Sequence, residues 1–436
     1  MSDTPAQKSC DVLVIGSGPA GSTIGALLAQ SGIDVVLLEK EHHPRFHIGE
    51  SLLPNNMPML DKLGIRREVE SIGMKKYGAT FTSPWHKKTM EFSFARALDK
   101  TLPLAYQVRR SVFDEILAKN AAVKGARLLE GSRALEVEFL PQGGAKVKVQ
   151  GEDGETLWTT KFVVDASGRD TLLASQFGIK HSNLRHNTAA VYGHFTNAKR
   201  LEGKAEGHIS IYWFDYGWFW FIPLADGTTS VGAVARPEYI NGRKTDVTTF
   251  FKDTIALSPE LSARLKDATL TGPATATGNY SYISDHMSGP SYLLIGDAFA
   301  FVDPVFSTGV YLAMITGFMG ADVVKTALKN PAKGAAAARK MEKKIRAGMD
   351  VFSWYIYRVN RPAIRDLFMG PRNYFRVEEA MLSLLAGDIF DNREVLLRLN
   401  FFKALYFIKT WINNLRGYDD AMNSVKAEAP GMKKAA

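Results

Sequence analysis

Six residues near the N-terminus, Gly16-Ser17-Gly18-Pro19-Ala20-Gly21, constrain this chain more than any other feature. They follow an apolar run, Asp11 to Ile15 (DVLVI), and open a segment rich in Ala and Leu, Ser22 to Gln30. A second apolar run, Asp34 to Leu38 (DVVLL), comes next. Strand, glycine turn, helix and strand make a βαβ unit, so a parallel sheet is expected. In such a GxGxxG turn the first glycine permits the tight bend, the second lets the backbone approach a pyrophosphate, and the third lets helix and strand pack closely. Amide N–H groups at the helix start then face the phosphates. Glu39 closes the second strand 23 positions after Gly16 (39 − 16), where a carboxylate can accept hydrogen bonds from an adenosine ribose. A dinucleotide ligand is expected; the alternative is a glycine turn with no ligand.

The rest of the 436 residues, 46% of them hydrophobic, suffices for a large core and a second layer. Thr80 to Phe94 reads as extended and Ser111 to Asn120 as a helix. Ala145 to Val149 and Thr156 to Trp158 read as a hairpin turning on Asp153-Gly154. Phe162 to Asp165 and Ser291 to Ile295 are further buried strands, residues 187–236 hold several β segments in succession, and Gly309 to Leu328 is a long helix. The pattern from Ala338 to Arg416 is helical. Phe401, Leu405, Ile408, Ile412 and Leu415 share one face and are expected to pack on the body of the protein. Nearby Lys403, Lys409 and Arg416 leave binding to a membrane surface as the alternative.

A formal net charge of +9 suits an anionic ligand or an acidic partner, and no basic run interleaved with aromatics points to nucleic acid. Cys10 is the only cysteine, which excludes an intrachain disulfide and a cysteine-based metal cluster; no metal is expected, and a reducing, cytoplasmic setting is. The N-terminus does not read as a signal peptide, and no stretch reads as the roughly 20 apolar residues of a spanning helix.

Tyr292 to Asp297, an apolar strand ending in Gly296-Asp297, resembles the second FAD motif of glutathione-reductase-type flavoproteins, in which the aspartate binds the ribityl chain. Val163 to Gly168 (VVDASG) resembles a third motif of that group, and Arg110, ahead of Phe113-Asp114, resembles the arginine of its flavin-hydroxylase branch. The fold class expected is therefore α/β: a GxGxxG FAD-binding domain with an inserted antiparallel β-sheet substrate domain and a helical C-terminal region. The FAD domain would be discontinuous (1–80, 105–185 and 275–335). The insert would comprise 81–104 and 186–274, the helical region 336–420, and a disordered tail 421–436.

Four further segments resemble the flavin-dependent halogenases. His43 to Pro54 (HPRFHIGESLLP) is similar to the family's segment around the flavin edge, which implicates Arg45 and Ser51 in cofactor binding. Trp218 to Pro223 (WFWFIP) satisfies the family's WxWxIP. Period-2 alternation puts Trp218, Trp220 and Ile222 on one strand face, and the resemblance implies that these residues and Pro223 line a tunnel. Lys76 in KYGATF matches the family's KxGxxF, where the lysine meets hypohalous acid. It could donate a hydrogen bond as ammonium or, with its pKa lowered by burial, form a chloramine. Asp303 to Leu312 (DPVFSTGVYL) resembles the stretch beside the flavin ring, implying a halide at the Thr308-Gly309 amides and flavin contact at Val310. Read without the resemblance, these segments are a loop, a core strand, a surface lysine and a capped helix start.

The resemblance implies FADH2 from a separate flavin reductase, oxygen addition to give a flavin hydroperoxide, and attack by chloride or bromide. The resulting hypohalous acid would travel to Lys76 and an aromatic ring. Phe306 departs from the tryptophan-acting branch, which has a glutamate at that place. A phenolic or pyrrolic ring, free or on an acyl carrier protein, is expected instead. The competing readings are an FAD-dependent aromatic hydroxylase, a prenyl or polyene reductase, and a non-catalytic flavin scaffold.

Overall fold

Apolar strands with few polar side chains must be covered on both faces, and here they are. The computed structural model describes residues 6–183, 186–278 and 281–416. Five strands run parallel in the order Tyr292–Leu294, Gly154–Asp165, Ala6–Ile15, Val35–Leu38, Arg127–Leu129. Val12, Leu13, Val14 and Val35 to Leu38 are all but inaccessible to solvent. Ile15 pairs with both Leu38 and Asp165, and Asp165 with Leu294, so the carboxyl ends of four strands meet at one edge. Ligands of open α/β sheets bind at that edge.

The second arm of the expected hairpin and the expected strand Phe162 to Asp165 are parts of one strand, Gly154–Asp165. Gly154 to Thr160 pair antiparallel with Ala145–Gly151 on one side, and Thr156 to Asp165 pair parallel with the N-terminal strand on the other. The turn falls on Glu152-Asp153, one residue before the Asp-Gly pair, because Gly151 faces Gly154 in the ladder.

The second sheet follows the order Thr269–Leu270, Ala189–Thr196, Thr229–Ala235, Gly217–Pro223, Ile209–Phe214, Gly78–Ser83, Lys88–Ser93. It is antiparallel except where Ile209–Phe214 meets Gly78–Ser83. The latter strand straddles the boundary expected at residues 80/81. Alternation sorts the side chains. Ile209, Ile211, Trp213, Trp218, Trp220 and Ile222 join the core shared with the parallel sheet. Tyr212, Phe214, Phe219 and Phe221 join a separate core under the helices Val247–Ala256 and Pro259–Leu265.

Helix Thr308–Lys329, 22 residues, is long and apolar enough to cross a membrane by length and composition alone. It is mostly buried against the helices Pro19–Gln30 and Pro331–Ile356, as a core helix.

The C-terminal region is helical, as expected, but the face assigned to its last helix, Arg393–Leu415, is wrong. Phe401, Ile408 and Leu415 are exposed, and Leu405 and Ile412 are half-buried. The buried stripe is Val395, Leu399, Phe402 and Tyr406. Polar anchors decide the rotation: Tyr355 Oη donates to the Leu399 carbonyl (2.9 Å), and Lys409 and Asn413 both reach Asp366. The helix is apolar around more than one face, so periodicity alone does not choose between its stripes. The expected tail lies outside the described residues.

Gly232 tests the packing of the aromatic strand. A Cβ there would lie 2.2 Å from the Trp220 ring. Gly232→Ala is expected to cost about 1–3 kcal/mol through overpacking. Thermal denaturation measures it, and an unchanged midpoint would mean that the Trp220 ring is free to yield.

Candidate active site

One cleft of ≈ 430 Å³ runs from the glycine turn to the aromatic strand. At one end stand Gly16, Gly18 and Glu39; at the other, Trp218, Trp220 and Ile222. Gly16 has φ +97°, and a Cβ on it would lie 2.5 Å from the Ala166 carbonyl oxygen, so a side chain there would close the turn. A Cβ on Gly21 would lie 1.9 Å from the Gly16 oxygen, which fits the close-packing role read for it. Gly18 lines the cleft.

Glu39 is buried, and desolvation opposes its charge. Arg45 and Ser17 outweigh that, and its pKa lies below the usual value. Its Oε2 accepts from Ser17 Oγ (2.8 Å) and Arg45 Nη2 (3.2 Å). Arg45 reaches on with Nη1 to Asp114 Oδ2 (3.2 Å). Arg110 grips the same carboxylate with Nε (2.8 Å) and Nη2 (3.0 Å), and its Nη1 donates to the carbonyls of Ile48 and Gly49. Burial opposes the Asp114 charge too, and Arg110 above all holds its carboxyl below the usual range. Arg110, read from the sequence as a cofactor residue, lines the cleft but spends most of its donors on Asp114 and on the 43–54 loop. The sequence reading missed Asp114 as the hub, although its spacing of four from Arg110 on a helix was available as a signal.

The same loop carries Ser51 into the cleft wall. Its Oγ accepts from Lys76 Nζ at 2.9 Å, and the Leu52 carbonyl accepts a second bond from Nζ at 2.9 Å. Lys76 itself does not line the cleft; it is buried behind Ser51, on a short strand (Met74–Lys76) paired with Ala105–Gln107. Desolvation pushes its pKa down to about 7. The Phe94 ring lies 5.3 Å from Nζ. Ser51, read as a cofactor residue, thus stands between the cleft and the lysine.

Asp297 faces the cleft, and burial pushes its pKa up to about 6. Gly309 and Val310 line the cleft at the start of helix Thr308–Lys329, while Thr308 is buried beside them. Asp303 caps the single turn Pro304–Phe306 that leads into this helix: it accepts from the Val305 amide (3.0 Å), Thr188 Oγ1 (3.1 Å) and, at 2.8 Å, pairs with His186 Nε2. Trp218, Trp220 and Ile222 form one wall, as the alternation predicted; Pro223, expected with them, is buried off the cleft. Glu50 was not singled out by the sequence. Its Oε1 pairs with His194 Nε2 (2.6 Å), and its buried Oε2 has no partner among the described residues.

The FAD-binding domain family model matches residues 9–341. A pyrrole-2-carbonyl-[peptidyl-carrier protein] chlorinase from Pseudomonas fluorescens is 30% identical, across 88% of this chain and 90% of its own length. The flavin-dependent halogenase gsfI of Penicillium aethiopicum is 31% identical, across 90% of this chain and 76% of its own. The chain belongs to the flavin-dependent halogenase family. A tryptophan 2-halogenase from Chondromyces crocatus is 35% identical over 76% of this chain, which spans 64% of that protein. Among solved structures, the myxobacterial chondrochloren halogenase CndH matches with a TM-score of 0.78 at 30% identity, over 92% of this chain and 97% of the other. A flavoprotein/dehydrogenase from Cytophaga hutchinsonii matches with 0.84 at 27% identity, over 93% and 99%.

The halogenase cleft fits FAD on its own chemistry. The Gly16 turn leaves a cradle that a Cβ would fill, a buried carboxylate stands at the second strand end, and an orphaned carboxylate oxygen of Glu50 stands in the wall.

Asp114→Ala would strip the shared carboxylate from two buried guanidinium groups. A loss of about 3–5 kcal/mol is expected, read from urea denaturation. The carboxyl is held below its ordinary value of about 3.9, so its stabilisation is present above that pH and is lost as pH falls through the folded pKa. The curves for the two proteins should therefore converge in acid.

Proposed function

We propose that the enzyme transfers chlorine or bromine to an electron-rich phenolic or pyrrolic ring, free or held on a carrier protein, with Lys76 as the group that delivers the halogen. The observation carrying this reading is the fully buried Lys76 amine, which has no carboxylate partner among the described residues and reaches the cleft wall through Ser51. A lysine kept out of water without a counter-charge is costly unless its chemistry is used.

In this reading Gly16, Gly18, Gly21, Glu39, Arg45, Arg110, Asp297 and Val310 form the FAD site. Reduced FAD, supplied by a separate flavin reductase, provides with oxygen the oxidising power that turns halide into hypohalous acid. The amides at Thr308 and Gly309 hold the halide at the positive end of a 22-residue helix. Trp218, Trp220 and Ile222 keep the organic substrate from the oxidant's source and exclude water. Lys76, as ammonium, donates a hydrogen bond to the oxygen of hypohalous acid and polarises the halogen toward the ring. Phe306 is buried in the core and offers no proton acceptor, which favours a ring activated by its own hydroxyl or N–H.

Mass spectrometry of a phenol and pyrrole panel, incubated with the enzyme, a flavin reductase and bromide, tests the assignment. Brominated product is expected from wild type. Lys76→Ala should reduce it at least about 10²-fold with FAD binding retained. An oxygenated product indifferent to bromide and to Lys76→Ala would sink the reading in favour of a hydroxylase.

The ammonium role also fixes a pH dependence. With the pKa of Lys76 near 7, halogenation should fall as pH rises through that value. A rate that rises there would mean that the neutral amine acts, as in chloramine formation.

A further inference from the structure

Next to Lys76 lies a buried imidazole that nothing above has used. The chain at residue 207 runs directly against the lysine strand: a Cβ on Gly207 would sit 1.9 Å from the Lys75 carbonyl oxygen and 3.1 Å from Met74 Cγ. Gln107, the ladder partner of Met74, donates from Nε2 to the Gly207 carbonyl at 3.1 Å. Ile209 then enters the second sheet beside Ala79, three residues beyond Lys76. His208 is thereby fixed between two clamped neighbours beside the lysine strand, and like Lys76 it lies behind the cleft lining, next to Ile209, which does line it. His208 is 2% exposed.

Among the described residues, neither ring nitrogen of His208 has a hydrogen-bond partner, and neither does the buried Oε1 of Gln107 beside it. Glu91 Oε1 comes to 3.9 Å of Nδ1, too far for a hydrogen bond, and its side chain is mostly in solvent. Buried polar atoms are otherwise almost always paired, so a cluster of three orphans beside a functional lysine marks a place for a polar ligand atom.

We propose that His208 accepts the hydroxyl proton of a phenolic substrate as the ring is presented to Lys76, with Gln107 Oε1 as a second polar contact. This rests on the halogenase reading above and supplies the proton acceptor that Phe306 does not. The charged groups acting on the imidazole are Glu91, from strand Lys88–Ser93, and Lys76. Desolvation first, and Lys76 with it, lower its pKa; Glu91 raises it. The net effect is downward, so His208 is neutral and able to accept a proton near neutral pH.

The step balances. The phenol proton moves to a ring nitrogen of His208. The phenoxide carbon forms its bond to halogen as the halogen–oxygen bond of hypohalous acid breaks. The departing hydroxide takes a proton from the Lys76 ammonium and becomes water. The displaced ring proton returns to the Lys76 amine, and His208 hands its proton back to the product oxygen.

The test compares wild type with His208→Gln on two phenols, using full-length enzyme, FAD, a flavin reductase and bromide. One phenol is weakly acidic; the other is polyfluorinated and ionised at the assay pH. The ratio of variant to wild-type kcat/KM is expected to fall about 10²-fold for the first and to stay within a few-fold of unity for the second. Free hypobromite caught by a 1,3-diketone trap should be unchanged. Equal losses on both phenols, or no loss on either, overturn the assignment. Should His208→Gln fail to retain FAD, the wild-type pH profile decides instead. An acid limb is expected with the weakly acidic phenol and not with the ionised one; the same limb with both overturns it. Wild type that brominates neither phenols nor pyrroles overturns the halogenase reading along with it, whereas bromination of pyrroles alone, or of phenols with a uniform loss, overturns His208 alone.

Discussion

The organisation of this active site depends on one buried carboxylate. Asp114 is inaccessible to solvent and is shared by Arg110 and Arg45. Such a cluster is weak evidence for stability, since desolvation offsets most of the Coulombic gain. Its geometry is specific, however. Arg110 fixes the Ile48 and Gly49 carbonyls, Arg45 fixes Glu39, and the segment between and beyond them is the 43–54 loop. Two residues after Gly49 comes Ser51, which accepts from Lys76. One ion cluster therefore sets the position of the carboxylate at the nucleotide end and, through the same loop, the position of the lysine at the other end.

The second dependence is on alternation in the aromatic strand. Trp218, Trp220 and Ile222 face the cleft because Phe219 and Phe221 face a different core. Each set is held by its own neighbours: Trp220 Nε1 donates to Ser230 Oγ at 3.1 Å, and Phe219 lies 4.5 Å from the Phe214 ring. A one-residue slip would exchange the two sets, so register is specified on both faces at once. The rigid aromatic wall follows from the sheet being buried on both sides.

Sequence and structure agree where a local rule sufficed. The βαβ start, Glu39 at the strand end and the alternating tryptophans depend on spacing within one element, and spacing is visible in a sequence. The buried position of Lys76 was legible only as a resemblance, because burial is a property of what packs on it. Phe94, Ser51 and Leu52 come from segments with no sequence signal of proximity. His208 escaped notice for the same reason. The last helix failed differently: it carries apolar side chains on several faces, and its orientation is chosen by Tyr355, Asp366 and Asn413, contacts made across 44 and 47 residues. Pro223 belongs to the signature by order but lies beyond the cleft in space.

The cost of burying Lys76 explains why so much structure is spent on it. An ammonium with hydroxyl and carbonyl partners alone is held at the edge of deprotonation, which a carboxylate neighbour would prevent. Glu50, the carboxylate next to Ser51 in the chain, is paired with His194 at 2.6 Å. Burial with no carboxylate beside Nζ among the described residues leaves the lysine a donor that can lose and regain a proton near neutrality. It also leaves no anionic neighbour to compete with an incoming electron-rich oxygen. In the proposed role a site that polarises a halogen and then takes up a ring proton needs both properties, and an uncompensated buried amine has them only while the surrounding wall keeps water out.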